Sequence, residues 1–331
     1  MAASMAILNL ITSTRNDPDI ETHHVSQTLR LVNQRLSSAD ATSDATIAVV
    51  VIIGQYHRHR GQYRDGLVHM NGLKRMVEMR GGISQILRES PMLGSKIIRL
   101  DTEYAVEWGS EPIFSTEEIM PASTAGPWLH ERLSLEYSHR RPGLLQYRDL
   151  RSPELRSIAT EMTTLAWLHN DAIAADRPKL TMRQSHEALL LVGYRLVHFS
   201  PLAGRRLAGD FEDAVHLGLV MFTVPFLHRL GGGIQDCPLL YELARSAAFS
   251  RFGVENREVL LWMLFVGRAS VFTPRDEWLV SMVGRVLYDL SLYSWEEVLE
   301  VLGRFPWVGV LFDKAGKSLY DAATSVSETT G

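Results

Sequence analysis

The chain has 331 residues, 46% hydrophobic and 22% charged, with a formal net charge of -4. That balance belongs to a folded globular protein and excludes a disordered one. The slight negative charge also speaks against a chain whose main task is holding nucleic acid, since such chains are usually basic or carry a basic stripe.

A single cysteine, Cys237, excludes an internal disulfide framework and any cysteine-based zinc site. Beside Pro238 it reads as a small buried hydrophobe. The longest uncharged apolar stretch, Ala45 to Gly54, falls short of the about eighteen residues a membrane span needs. Met1 to Leu10 lacks the basic start and cleavage site of a secretory signal. The short basic clusters His57-Arg58-His59-Arg60 and His139-Arg140-Arg141 read as solvated turns.

In chain order, apolar residues at Val25, Leu29, Val32 and Leu36 give a three-and-four pattern for a first helix. Asp44 stands as an N-cap for a second, Ala45 to Tyr56. Its β-branched core, Thr46 to Ile53, could form a buried strand. Helix is expected instead, because the apolar character lasts three turns and amphipathic helices lie on both sides. In the third helix Leu67, Met70, Leu73, Val77 and Arg80 share a face. Gly81 and Gly82 then supply the positive φ of a helix stop. Leu93 to Trp108 continues with Ile97, Leu100, Tyr104 and Trp108 on one side.

From residue 109 to 153, five prolines (Pro112, Pro121, Pro127, Pro142, Pro153) predict an irregular connector with one short helix around Leu129 to Tyr137. Helical spacing resumes at Glu154, with Ile158, Met162, Leu165, Leu168 and Ala172 on one face. Glu187 to Phe199 and Phe211 to Leu230 follow, the latter with Pro225 as a kink. Glu255 to Ser270 holds Leu260 to Val266, apolar all round, and is expected to be the central core helix. Glu277 to Leu290 and Ser294 to Gly303 come next, and Ser294 with Glu297 matches a capping box. The expected architecture is all-α: a single helical domain over 1–322, packed around that central helix, with a frayed tail over 323–331.

Two blocks of the sequence resemble the fungal-specific transcription factor domain, the all-helical regulatory region that follows a DNA-binding zinc binuclear cluster in fungal activators. The first, about Ser26 to Gly82, includes Val32-Asn33 with Leu36, Ser43-Asp44-Ala45-Thr46-Ile47 and the helix His69 to Gly82 with its Arg80-Gly81-Gly82 end. The second, about Arg257 to Asp321, includes Trp262-Met263-Leu264, Gly267-Arg268, Asp276-Glu277-Trp278, Trp295 to Leu299, Phe305-Pro306-Trp307-Val308 and Gly316-Lys317-Ser318-Leu319. Order and spacing carry more weight than any one fragment. Phe312 departs from the pattern, because relatives often place His before the Asp of the last motif.

The resemblance implies a nuclear setting, transcriptional regulation through protein partners and an unidentified small-molecule effector. The six cysteines of the zinc module are absent, so specific DNA binding by the chain itself is not expected. Met1 falls where a relative would already be inside its regulatory domain, the expectation for a shortened gene product or one missing upstream exons.

Enzyme readings meet weak support. His57 with His59 and the pair His23 and His24 lack the His-Glu-x-x-His spacing of a metal site and read as surface histidines. Gly231-Gly232-Gly233 lacks the Gly-Lys-Ser/Thr of a phosphate loop and reads as a helix end. Asn170-Asp171 with Asp176 resembles the acidic metal motifs of terpene cyclases, but magnesium diphosphate chemistry needs several converging acidic ligands. Trp262, Trp278, Trp295 and Trp307 could line a small-molecule pocket, and core packing is the favoured reading. No catalytic, cofactor-binding or metal-ligating residue is therefore assigned. The runner-up readings are an all-helical enzyme, such as a divergent terpene-cyclase-like protein, and a non-functional truncated regulator.

Overall fold

The computed structural model describes residues 18–122, 140–174, 182–227, 237–250, 252–274 and 276–328. Among them the fold is all-helical, with fourteen α-helices, three short 3-10 turns and no strand. No described helix is long and apolar enough to cross a membrane.

The chain divides into two compact units, Met1–Asp101 with Ile113–Ser123, and Thr102–Pro112 with Thr124–Gly331. The first contains α1 (Pro18–Leu36), α2 (Asp44–His59), α3 (Tyr63–Met79), α4 (Ile83–Glu89), α6 (Thr116–Ile119) and the start of α5 (Pro91–Trp108), whose later residues belong to the second. The β-branched segment Thr46 to Ile53 lies in α2, with Ile47, Val50, Val51 and Ile53 buried. Its N-cap is Ser43, not Asp44 as expected: the Ser43 hydroxyl accepts from the Thr46 amide at 3.4 Å. Asp44 moves into the first turn, where a carboxylate also suits the helix dipole. On α3 the apolar stripe buries Met70, Leu73 and Val77. Gly81 and Gly82 take φ of 97° and 91°, so the helix stops where the glycine pair predicts.

The second unit contains α7 (Pro153–Ala174), α8 (Met182–Phe199), α9 (Asp210–Leu227), α10 (Pro238–Ala248), α11 (Arg257–Ser270), α12 (Glu277–Asp289), α13 (Trp295–Leu302) and α14 (Gly309–Glu328). Every residue of α11 from Val259 to Gly267 is buried, and the helix packs against α9, α10, α12, α13 and α14. It comes close to α9 at Gly218, where an added Cβ would lie 2.5 Å from the Trp262 ring. Pro225 sits inside α9, which continues to Leu227. The capping box of α13 forms with both of its reciprocal bonds.

Two expectations change at the edges. The connector carries regular turns at Thr116–Ile119, Met120–Ala122 and Gly143–Gln146. The polar end is helical as far as Glu328, because Ala323 is buried and Thr324 and Ser325 bond back to carbonyls of the preceding turn. The helix expected at Leu129 to Tyr137 and the turn at Gly231-Gly232-Gly233 lie outside the described residues.

Candidate functional site

Arg80, which ends α3, is a joint of the first unit. Its guanidinium donates to the Thr42 carbonyl at 2.7 Å and pairs with Asp44 at 2.9 Å and Glu89 at 3.4 Å. Three acceptors from two segments suit the fixed fork of a guanidinium. Ser90 donates to the same Asp44 carboxylate. That bond, with the Arg80 charge, holds the Asp44 carboxyl below its ordinary range despite partial desolvation.

The histidines separate. His59 is exposed, as expected, but His57 is half-buried and stacks on His69 at 4.9 Å, with its Nδ1 2.9 Å from Gln62 Oε1. Burial pushes the His69 pKa down, and the neighbouring His57 adds to the effect. Among the described residues no cluster of three metal-ligating side chains forms.

Asn170 does structural work. Its amide donates to the Trp307 carbonyl at 2.7 Å, and its side-chain oxygen accepts from the Gly309 amide at 3.0 Å. Asp171 lies 3.9 Å from Arg140. Asp176 and the side chains of His23 and His24 fall outside the described residues.

The four tryptophans are spread through aromatic packing. Trp262 stacks on Phe305, Trp307 meets Phe312, Trp295 lies between Phe265 and Tyr320, and Trp278 meets Phe249 and Phe272. Phe312 stacks on Phe222 and is fully buried, so its ring serves the core. Trp278 packs on Phe249, which lines a concave surface.

That surface is a cleft of about 450 Å³ with three walls. The end of α10 and the chain after it supply Phe249 and Phe252. The start of α11 supplies Arg257 and Leu260. From α12 come Met282, Arg285 and Val286, spaced to share one helix face. Phe249 is 55% exposed, a large apolar surface left open to solvent.

The charges of the cleft run against local helix preference. Arg257 opens α11, where the helix dipole is positive, and Asp289 closes α12, where it is negative. The two offset each other in an ion pair at 2.7 Å. Arg285 is exposed, and among the described residues no hydrogen bond or ion pair engages it. No acidic side chain lines the cleft among these residues. Among the described residues the balance is therefore one unneutralised guanidinium above a largely apolar floor.

Sequence reasoning passed over Arg257, Arg285, Phe249 and Met282. They come from three elements, and no local spacing links them.

The chain matches no family model, no curated protein and no solved structure.

Proposed function

We propose that the chain is a non-catalytic regulatory protein of the fungal-specific transcription factor domain type, acting in the nucleus through protein partners. The observation that supports this reading most is the use of the motif residues. Arg80 of the Arg-Gly-Gly end joins three segments of the first unit. Trp262 of the Trp-Met-Leu string bonds to Pro306 of the Phe-Pro-Trp string at 2.9 Å. These residues act as joints of a helical scaffold and are not arranged around a reacting centre. One cysteine cannot build a binuclear zinc cluster within these residues, so the part they play is joining a DNA-binding regulator or withholding a partner from one.

Fusion of the chain to an unrelated DNA-binding module tests this reading. Reporter output should change, capture from nuclear extract should recover a zinc-cluster regulator, and the isolated chain should bind duplex DNA without sequence selectivity. A silent fusion, empty capture and turnover of an isoprenoid diphosphate would replace this reading with the enzyme one.

A further inference from the structure

We infer that the cleft between α10, α11 and α12 binds a small monoanion with an apolar body, of the class of an aryl- or alkyl-substituted monocarboxylate. The inference is independent of the regulatory reading.

Three observations converge on this ligand class. The first is size: about 450 Å³ is room for a small organic molecule. The second is charge. Arg257 is neutralised by Asp289 at 2.7 Å, which leaves the guanidinium of Arg285 and the positive start of α11 facing the cleft. Among the described residues a surplus of one positive charge matches one carboxylate, and a guanidinium receives a carboxylate through two parallel N–H donors. A dianion would leave a negative charge without a partner, and a cation would meet only like charge.

The third is the apolar floor. Phe249, Leu260, Met282 and Val286 offer contact to a ring or short chain, and the Ser250 hydroxyl that also lines the cleft donates to the Ser246 carbonyl. Inorganic anions gain nothing from that floor, and uncharged hydrocarbons gain nothing from Arg285. A carboxylate at Arg285 with its apolar part on Phe249 and Met282 uses both.

Occupancy also has an optical reporter. Phe249 lies 5.5 Å from the Trp278 ring, so a ligand that shifts Phe249 changes the surroundings of that indole.

Calorimetric titration of the full chain with 4-phenylbutyrate tests the proposal, with 4-phenylbutyramide and inorganic phosphate as comparators. Saturable binding of the acid is expected, weaker by about tenfold or more for the amide, because a charge-assisted hydrogen bond is lost. Arg285→Gln should weaken the acid by a similar factor and leave the amide unchanged, and Arg285→Lys should recover part of the loss. Arg285 is exposed and unpartnered, so the circular dichroism of these variants should match the parent. The fluorescence change on binding should vanish in Trp278→Phe. Absence of saturable binding, equal affinity for acid and amide, equal affinity for phosphate and acid, or indifference to Arg285→Gln would each overturn the proposal.

Discussion

The indole Nε1 of Trp262 and the carbonyl oxygen of Pro306 are 44 residues apart in the chain and 2.9 Å apart in space. Both groups are buried, so each would be an orphan without the other. The stacked ring of Phe305 beside them, 5.7 Å from Trp262, makes the contact apolar as well as polar. Phe305 and Pro306 hold this segment onto the helix of Trp262, while Trp307 packs on Phe312 and donates to Asp313 at 2.8 Å.

Trp262→Phe should therefore cost about 2–4 kcal/mol, the sum of an unpaired carbonyl and lost ring volume. Trp307, 4% exposed, should cost about 3–5 kcal/mol as Trp307→Ala. Chemical denaturation measures both. An unchanged midpoint for Trp307→Ala would mean that the residue is not packed as described.

Gly218 faces the same indole. A Cβ there would stand 2.5 Å from Cζ3 and 2.7 Å from Cη2 of Trp262, closer than carbon atoms approach. Gly218→Ala gains helix propensity yet should lower stability by about 1–3 kcal/mol, because the fully buried ring has no space to retreat. A more stable variant in thermal melting would contradict this packing.

Arg80 offers a test confined to the first unit. Arg80→Ala removes the donor to Thr42 and the partner of Asp44 and Glu89. The Arg80 and Asp44 side chains are partly solvated at 25% and 49% exposure, so the expected loss is about 1–2 kcal/mol. Arg80→Lys should lie between, since an ammonium lacks the fork that reaches three acceptors. Hydrogen exchange should quicken at the amides of α2 and α3 and stay unchanged in α11. Equal protection in parent and variant would remove Arg80 from its role as a joint.

His216 sets a pH dependence. It is wholly buried, and burial, helped by the Arg206 guanidinium 3.2 Å away, pushes its pKa down to about 3. The unfolded chain takes up a proton near 6.5 and the folded chain does not. The contribution is thus fully present above pH 6.5 and is lost as pH falls from there toward 3. The slope is about 1.4 kcal/mol per pH unit for a single group. Urea denaturation at pH 7, 6 and 5 should show a decline that is shallower in His216→Gln. Parallel curves for the two proteins would place the titration elsewhere.

Much of the architecture could be read from spacing. The three-and-four apolar pattern located α1, α3, α5 and α7, the glycine pair marked the end of α3, and Ser294 with Glu297 announced a capping box that forms. The misread cap of α2 has a simple cause. Ser43 and Asp44 are adjacent and both are good N-caps, and only the bond to Thr46 decides between them. The polar end misled because Thr324 and Ser325 satisfy their hydroxyls on the helix itself. The cleft was illegible for a different reason. Arg257 and Arg285 are separated by a turn and most of two helices, and an arginine on a helix surface is ordinary until its neighbour in space is known.

The side-chain amide of Asn170 has a consequence for the order in which this protein is made. It receives the Gly309 amide, one of the otherwise vacant donors that begin α14, across 139 residues of chain. The acceptor for the start of that late helix thus sits on α7, an element synthesised well before it. A nascent chain stopped short of α14 would present this amide empty, and a docked α14 would mark the moment at which both ends of the second unit have met.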